Sequence, residues 1–385
     1  MKKTEAAADP RRRRRVLLLR TAICLFSLLV ALTTAEVVTR LLEWADPGFN
    51  RYFFKLVDHG EKFVYDSDLG WRNAPEWSLE EPNLTITINS HGLRGPDRAY
   101  AKPEGVRRIL ILGDSYTFGY GVSDDETYPA FLETKLQAEP GDFQVINMGV
   151  NAYGTDQEYL TLLKEGTNYD PDIVVLAFFS ENDFVDNLSR LLDVVAKPCF
   201  LDETLLPANV PVPFVRKSAG KTSLVRPSRL IHSSALYRLL FFSGVSSERS
   251  VGLMQTLNLC DVESEMSPGY QGEWIDLAVA ITEGIAKLCA ENDAQLVVMS
   301  FGGFLNGPFA QNYPQAASEY RARLQRRVPD LHFLDLDQAF VEKELSTARL
   351  TEGISYNHWN PFAHENVAAI LHDFLQQEGL RTSER

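Results

Sequence analysis

The sequence lacks the motifs that mark several common classes of protein. It has four cysteines in 385 residues, no Cys-x-x-Cys pair, no His-Glu-x-x-His pair and no glycine-rich phosphate loop ending in Lys-Ser or Lys-Thr. No sequence signal therefore points to a zinc site or to a nucleotide phosphate. No internal repeat is present either. The sequence implies no metal and no organic cofactor.

The few cysteines leave disulfide formation open. Cys24 lies in an apolar segment, and Cys199, Cys260 and Cys289 follow in the rest of the chain. In an exported protein, a bridge between Cys199 and Cys260 is one alternative and buried free thiols are the other. Spacing does not reveal pairing, so both alternatives stand.

Positive charge is scarce outside the N-terminus. The formal net charge is −14, yet residues 1–20 carry eight basic and two acidic side chains, a net +6. The remaining residues therefore carry −20. Contacts with phosphates require Lys and Arg, so this acidic part argues against nucleic acid as a partner. The length and the hydrophobic content of 45% allow one large domain or two small domains.

A long apolar run follows five consecutive arginines near the N-terminus. Residues 21–35 carry no charge, and residues 16–38 give a stretch of 23, which is enough to span a bilayer. Basic residues before such a stretch predict a cytoplasmic N-terminus and an exported remainder. A signal peptide cleaved after Ala35 is the alternative, and a buried helix of a soluble protein is the third interpretation.

We therefore expect a basic cytoplasmic tail (1–15) and an uncleaved transmembrane signal-anchor (16–42). The rest of the chain is then extracytoplasmic, either periplasmic or at the cell surface. Residues 43–104 follow as a small N-terminal extension packing on the core. This extension contains a predicted strand at 84–88 and a predicted turn at Asn89–Gly95.

Strand and helix patterns alternate in the rest of the chain. Apolar runs at 107–112, 143–148, 172–179, 295–301 and 332–336 predict strands. Helical spacing appears at 127–136, 156–164, 273–291, 313–327 and 361–377. This alternation predicts an α/β fold with a doubly wound parallel sheet, formed by 105–183 and 273–378. Ligands of such sheets bind beyond the carboxyl ends of the strands.

Residues 184–272 interrupt this alternation and form a large insertion. They contain several prolines and a basic patch around Arg216 and Lys217. A structureless loop of this length is unusual in a compact domain, so we expect an insertion with its own helices. It is either a lid, a docking region or a structural embellishment.

Two residues have the chemistry of nucleophilic catalysis. Ser115 follows the predicted strand 107–112, where ligands bind in such sheets. His358 precedes a predicted helix that begins near Pro361. A serine hydroxyl is a weak nucleophile and needs a base with a pKa near the working pH, usually histidine. Only the fold can bring these two residues together.

Acyl transfer also needs donors aimed at the developing oxyanion. Asn182 follows the strand 172–179 and carries an amide NH₂. The stretch 147–154 follows the preceding strand and presents backbone N–H groups. Both stretches end strands of the predicted sheet, so they are candidates for an oxyanion hole.

Four blocks in this order resemble the SGNH/GDSL hydrolase superfamily. They are Gly113-Asp114-Ser115, the Gly149–Gly154 loop, Glu181-Asn182-Asp183, and His358 followed by Asn360 and His364. The resemblance covers about 105–183 and 290–375, and with Asn89–Gly95 it is similar to membrane-anchored bacterial members, among them esterases and polysaccharide O-acetyltransferase-like proteins. It implies a flavodoxin-like sheet, Ser115 as nucleophile and His358 as base. It also implies an oxyanion hole from Asn182 and the backbone N–H of Ser115.

The sequence departs from this family at two positions. The block-two donor is usually glycine, and the aligned residue here is Ala152, which keeps its N–H provided that the backbone tolerates a Cβ. The family also has an aspartate two or three residues before the histidine, where this chain has Ser355 and Tyr356.

Three interpretations of the missing aspartate stand. A backbone carbonyl orients His358 in a Ser–His dyad, or another acid substitutes, or hydrolytic activity is lost. The candidate acids are Glu352, Asp335 and Asp337.

Three functional hypotheses follow. The first is a membrane-anchored extracytoplasmic serine esterase or deacylase that removes acyl groups, such as O-acetyl, from a carbohydrate or lipid. The second is an O-acyltransferase of the same superfamily that modifies a polysaccharide through the same acyl-enzyme. The third is a catalytically silent binding protein. The sequence does not indicate the oligomeric state.

Overall fold

A computed structural model of the protein describes residues 10–45, 62–139, 141–192, 195–218, 221–227, 234–237, 239, 255, 260–263 and 272–380. Residues 1–9 of the expected tail, 46–61 of the expected extension and most of 228–271 in the expected insertion lie outside these ranges.

The first half of the described chain contains one long helix and many short elements. In order they are α1 (Pro10–Ala45), β1 (Phe63–Asp66), β2 (Gly70–Asn73), β3 (Ser78–Glu81), β4 (Leu84–Thr87), β5 (Val106–Leu112), α2 (Ser115–Phe118), α3 (Tyr128–Gln137), β6 (Asp142–Asn147), α4 (Thr155–Lys164), β7 (Ile173–Phe179) and α5 (Asp183–Asp186).

The second half begins with short strands and ends with longer helices. In order they are β8 (Leu191–Leu192), β9 (Val195–Ala196), β10 (Cys199–Phe200), β11 (Pro207–Ala208), β12 (Phe214–Ser218), β13 (Lys221–Pro227), β14 (Cys260–Glu263), α6 (Trp274–Glu291), β15 (Gln295–Phe301), α7 (Pro308–Asn312), α8 (Ala316–Arg327), β16 (His332–Asp335), α9 (Leu336–Glu342), α10 (Thr347–Thr351) and α11 (Pro361–Gln377).

Five parallel strands form the central sheet, in the spatial order β16-β15-β7-β5-β6. Numbered along the chain, this is the flavodoxin-like order 2-1-3-4-5. The expected doubly wound fold is therefore confirmed. Ile109 in β5 lies opposite both Val145 in β6 and Ile173 in β7, so β5 is flanked on both sides. The carboxyl ends of β5 and β7 thus lie beside each other.

Helices cover both faces of this sheet. Every residue of β7 is buried, as expected for a strand that packs helices on both sides. Leu110 and Leu176 pack in a core with α4, α6 and α8 on one face. Ile111 and Val175 pack in a second core with α3, α9 and α11 on the other face. Alternate side chains of each strand therefore enter opposite cores.

The helix α1 contains an apolar stretch, Leu17–Leu42, in which a window of 18 residues has a mean hydropathy of 2.0 and no buried residue. Thr39, near the end of the stretch, is buried. By length and composition this stretch can cross a membrane. A signal sequence passes the same test, so the stretch does not by itself identify an anchor.

The described part of the extension forms two antiparallel hairpins, β1–β2 and β3–β4. Trp71 of β2 belongs to the core that also contains Leu110 of the central sheet. Ile86 and Ile88 pack against Phe118, which ends α2. The extension therefore packs on the sheet at the end of β5.

The described part of the insertion consists mainly of short strands. It contains two small antiparallel pairs and a three-stranded sheet, β12-β13-β14. Among the described residues of the insertion, helical backbone occurs at 184–186, 235–237, 239 and 255. Most of 228–271 lies outside the described ranges, so the expectation of helices in the insertion stays a prediction. Proline interrupts helices, and four prolines fall within 198–213. Cys199 and Cys260 are both buried, and no disulfide bond joins them.

The insertion also contacts α1. The carboxylate of Glu36 accepts hydrogen bonds from the hydroxyl of Ser234 at 2.7 Å and from the backbone N–H groups of Ala235 and Leu236 at 3.0 Å. This contact ties the carboxyl-terminal part of the apolar helix to residues 234–236 of the insertion.

Candidate functional site

Ser115 and His358 lie in contact, although 243 residues separate them in the sequence. The Oγ of Ser115 is 2.7 Å from the Nε2 of His358. Ser115 is the first residue of α2, three residues after the end of β5 at Leu112. His358 lies in the loop between α10 and α11, and the side chain of Asn360 caps α11 at the end of that loop. The fold thus brings together the two residues that the sequence singled out.

Asp114 fixes the turn that presents Ser115. Its Oδ1 accepts the backbone N–H of Tyr116 at 2.9 Å, as the N-cap of a helix of only four residues. Its Oδ2 accepts the Nδ2 amide of Asn182 at 3.3 Å. Burial raises the pKa of this carboxyl to about 7. Asp114 therefore connects the turn after β5 with the turn after β7.

The tautomer of His358 follows from its contacts. Its Nδ1 lies 3.2 Å from the carbonyl oxygen of Ser355. A carbonyl oxygen only accepts hydrogen bonds, so Nδ1 carries the proton of the neutral ring. Nε2 is then free to accept the hydroxyl proton of Ser115, which is the arrangement that a general base requires.

Aromatic rings surround His358. Tyr116 stacks on the imidazole with ring centroids 4.8 Å apart, and Tyr120 lies 4.6 Å away. Burial lowers the pKa of His358, and the positive charge of Lys62 acts in the same direction. The carbonyl of Ser355 opposes this change to a smaller extent. The ring is therefore neutral at pH 7, the form that accepts a proton.

None of the three candidate acids forms a hydrogen bond with the ring of His358 among the described residues. Asp337 accepts the backbone N–H groups of residues 302–304 at 2.9–3.3 Å. Asp335 caps α9 through the N–H of Gln338 at 3.0 Å. The side chain of Glu352 is exposed. Among the described residues no carboxylate hydrogen-bonds to the ring of His358, and the Ser355 carbonyl occupies that role.

The three candidate oxyanion donors differ in whether they already donate a hydrogen bond within the protein. In the described part of the chain the N–H groups of Ser115 and Ala152 have no acceptor within the protein. The Nδ2 of Asn182 donates one hydrogen bond to Asp114 and retains a second hydrogen. These groups therefore remain available to an oxygen of a substrate.

The loop between β6 and α4 carries Ala152 in a strained conformation. Its φ is +65°, in the left-handed region that favours glycine. Such strain concentrates at functional sites. The same loop packs closely on α2, since a Cβ at Gly149 would lie 2.3 Å from the backbone nitrogen of Phe118. The loop 149–154 and the turn that carries Ser115 thus pack closely against each other.

The burial of two carboxyls behind the site, those of Glu158 and Asp183, was not predicted from the sequence. Both carboxylate oxygens of Glu158 in α4 are buried without a partner among the described residues. Burial raises its pKa well above the ordinary value, and the neighbouring carboxyls of Asp114 and Asp156 add to this effect. Asp183 has a raised pKa for the same cause, although its Oδ2 accepts the N–H of Phe179 at 2.8 Å. The polar sequence of α4 gives no sign that Glu158 is buried.

Two further residues of the C-terminal block lie inside the core. Trp359 is completely buried between rings on the sheet and on α9. His364 is buried too, and its Nδ1 accepts the backbone N–H of Tyr128 at 3.2 Å. Burial lowers the pKa of His364 to about 3, so this side chain is neutral and has a packing role.

A family model described as GDSL-like Lipase/Acylhydrolase family matches residues 111–198. The resemblance expected from the four blocks is therefore confirmed over the first three of them. No curated protein matches the sequence.

Several solved structures are similar to the chain at low identity. An acetylxylan esterase from Geobacillus stearothermophilus, Axe2, is 14% identical with a TM-score of 0.38, over 72% of this chain and 97% of that protein. The psychrotrophic esterase EstA from Pseudoalteromonas sp. is 13% identical with a TM-score of 0.38, over 70% and 97%. A two-domain esterase active on acetylated mannans, CEX, is 12% identical with a TM-score of 0.39, over 73% and 51%. The chain thus spans about half the length of that two-domain esterase.

Proposed function

We propose that this chain is a membrane-anchored extracytoplasmic serine esterase or deacylase that acts through an acyl-enzyme. The observation that carries the proposal is the distance of 2.7 Å between the Oγ of Ser115 and the Nε2 of His358. The GDSL-like family match at 111–198 supports a hydrolase acting on esters.

The proposed reaction begins with attack by Ser115. As its Oγ forms a bond to the acyl carbon of an ester, its proton passes to Nε2 of His358. The resulting oxyanion accepts hydrogen bonds from the N–H groups of Ser115 and Ala152 and from the Nδ2 of Asn182. The C–O bond to the alcohol then breaks, and the leaving oxygen takes the proton from His358.

Water completes the proposed cycle. It attacks the acyl-enzyme while Nε2 of His358 accepts one of its protons. The ester bond to Ser115 breaks, the proton returns to Oγ, and the carboxylic acid leaves. Throughout these steps the carbonyl of Ser355 keeps the proton of Nδ1 in place, so the catalytic unit is a Ser–His dyad.

The anchor and the location are part of the proposal. The apolar stretch Leu17–Leu42 follows the basic block, and under the positive-inside rule this order favours a cytoplasmic N-terminus. The contact between Glu36 and residues 234–236 favours a helix that stays with the folded chain rather than one that is removed. The proposed substrate is an acylated carbohydrate or lipid outside the cytoplasm.

The test is ester hydrolysis by the full chain in detergent micelles. We expect hydrolysis of p-nitrophenyl acetate, loss of turnover in Ser115→Ala, and covalent labelling of Ser115 by a fluorophosphonate. Ser318→Ala serves as the matched control, since Ser318 is an exposed serine on α8. Equal hydrolysis by the Ser115 and Ser318 variants would contradict the proposal. Adding a carbohydrate acceptor separates hydrolysis from transfer, because transfer yields an acylated sugar that mass spectrometry detects.

A further inference from the structure

We infer that the N-terminal extension positions two segments of the catalytic site. Trp71 and Arg94 are its positioning residues. Trp71 holds the loop that carries Ala152, and Arg94 holds the turn that carries Ser115. The inference rests on the proposed function, since positioning is defined relative to that reaction. It assigns a role to the Asn89–Gly95 stretch, which the sequence predicts as a turn and which is part of the family resemblance.

Three hydrogen bonds connect the hairpin β1–β2 to the loop 149–154. The indole Nε1 of Trp71 donates to the carbonyl of Asn151 at 3.1 Å. The hydroxyl of Tyr153 donates back to the carbonyl of Trp71. The Nδ2 of Asn73 donates to the carbonyl of Gly149 at 3.3 Å. These bonds hold the residues on both sides of Ala152 and one at the start of the loop.

This loop needs an external support. Ala152 has a φ of +65°, which is unfavourable for a residue with a Cβ. A strained residue keeps its conformation only where the surroundings over-determine it. The bonds of Trp71 to Asn151 and of Tyr153 to Trp71 supply that constraint on each side. They thereby fix the direction of the Ala152 N–H, the candidate oxyanion donor.

Arg94 holds the other half of the site. Its guanidinium donates to the carbonyls of Phe118 at 2.7 Å, Gly119 at 2.5 Å and Val122 at 2.6 Å. Its Nε also donates to the carboxylate of Asp124 at 2.8 Å. The helix α2 has only four residues, and Gly119, with a φ of +84°, caps its carboxyl end. A single helical turn is not stable on its own, so Arg94 stabilises its carboxyl end while Asp114 caps its start.

Both positioning residues are rigidly enclosed. Trp71 is 5% exposed and Arg94 is 4% exposed. The guanidinium also lies over the ring of Phe118, 4.8 Å from its centroid. The planar fork of an arginine presents five N–H donors in a fixed geometry, whereas the ammonium of a lysine is a compact charge on a flexible stem. Arg94 is therefore matched to its carbonyl cluster by shape as well as by charge.

The first experiment compares Trp71→Phe with Trp77→Phe in the full chain in detergent. Phenylalanine keeps an apolar ring and removes the Nε1 donor. Trp77 lies on the same extension and is partly buried, and its Nε1 makes no hydrogen bond among the described residues, so it is the matched control. We expect Trp71→Phe to lower kcat for p-nitrophenyl acetate roughly 10- to 100-fold, because small misplacements at a catalytic site cost this much. KM should change by less than about twofold, since the ground-state complex does not use the oxyanion contacts.

The second experiment compares Arg94→Lys with Arg98→Lys. Arg98 lies on the same extension and forms an ion pair with Glu133 on α3 at 2.7 Å. We expect a fall in kcat of at least about tenfold for Arg94→Lys and no comparable change for Arg98→Lys. If Arg94→Lys fails to fold, the comparison of Trp71→Phe with Trp77→Phe alone decides whether the extension has a positioning role.

The outcomes separate this inference from the proposed function. Loss of hydrolysis in Ser115→Ala together with equal kcat in Trp71→Phe and Trp77→Phe would overturn the positioning role while leaving the esterase intact. The positioning role would also be overturned if the fall in kcat equalled the fall in the fraction of folded protein, measured by circular dichroism. If the wild type hydrolyses no ester, the rate of hydrogen exchange of the amides 149–154 tests instead whether Trp71 holds this loop. Faster exchange in Trp71→Phe than in Trp77→Phe supports the role, and equal exchange contradicts it.

Discussion

The Nδ1 of His358 lies 3.2 Å from the carbonyl oxygen of Ser355, so the imidazole is oriented by the turn that precedes it. Tyr356 and Asn357 between them have φ values of +58° and +57°. Left-handed non-glycine residues cost roughly 1–3 kcal/mol each. This turn replaces the expected carboxylate with a dipole, which fixes the tautomer but lacks a full negative charge to stabilise an imidazolium.

A dyad predicts that the candidate acids are dispensable. We expect Glu352→Gln and Asp335→Asn to keep kcat/KM within about twofold of the wild type, because neither carboxylate contacts His358. Asparagine at 335 also preserves the cap of α9. His358→Ala should abolish turnover in the same assay of p-nitrophenyl acetate. A loss of about tenfold or more in either acid variant would identify that carboxylate as the third member of a triad.

The acid limb of the pH–rate profile follows from the environment of His358. Burial lowers its pKa below the ordinary value of 6.5. The base must be unprotonated, so activity rises as pH rises through the pKa in the folded protein. We therefore expect kcat/KM, measured between pH 4.5 and 8, to reach its plateau with an apparent pKa below 6.5. His332→Gln, which changes a histidine outside the site, should leave the limb unchanged, and a midpoint above 6.5 would contradict the assignment.

Ala152→Gly tests whether the block-two donor is a backbone group. Glycine keeps the N–H and relieves the strain of a φ of +65°. We expect kcat to be retained and the free energy of unfolding to rise by up to about 1 kcal/mol.

The exposed Ala322 in the middle of α8 is the control for this substitution. There the same replacement should lower the free energy of unfolding by roughly 0.5–1 kcal/mol. Chemical unfolding followed by tryptophan fluorescence measures both variants. A large loss of kcat in Ala152→Gly would show that the methyl group itself is needed.

The sheet could be predicted from the sequence because its signals are local. The apolar run Gln295–Phe301 and the helix Pro361–Gln377 have the predicted bounds, since burial on both faces leaves an unbroken hydrophobic stretch and Pro361 marks a first turn. Ser115 was found for the same reason, as it ends such a run. The helix expected at 313–327 begins at Ala316 instead, after a separate short helix Pro308–Asn312.

The supports of the site could not be predicted because they depend on distant contacts. Trp71 and Asn151 are 80 residues apart, and Arg94 reaches carbonyls 24 to 28 residues away. Every residue has a backbone carbonyl, so no sequence motif predicts which carbonyls accept these hydrogen bonds. The carbonyl of Ser355 is the same case, since its position depends on two left-handed residues that the sequence does not mark.

The buried carboxyl of Glu158 leads to a prediction about stability and pH. Glu158 is 1% exposed, and its pKa is raised well above the ordinary 4.5, chiefly by burial. Between about pH 4.5 and the folded pKa, the folded protein holds a proton that the unfolded chain releases. The contribution of Glu158 to stability is therefore lost as pH rises through this window. One proton corresponds to a slope of about 1.4 kcal/mol per pH unit.

Glu158→Gln removes this ionisation and keeps the size of the side chain. We expect its Tm to exceed that of the wild type by an amount that grows as pH increases from 5 to 8, because only the wild type must keep a carboxyl protonated there. Glu104→Gln, at an exposed position, should show no such trend. The raised pKa of Asp183 should leave part of the wild-type slope in place. A difference in Tm that is constant with pH would mean that Glu158 is ionised in the folded protein, held by a cation or a polar partner at its two oxygens.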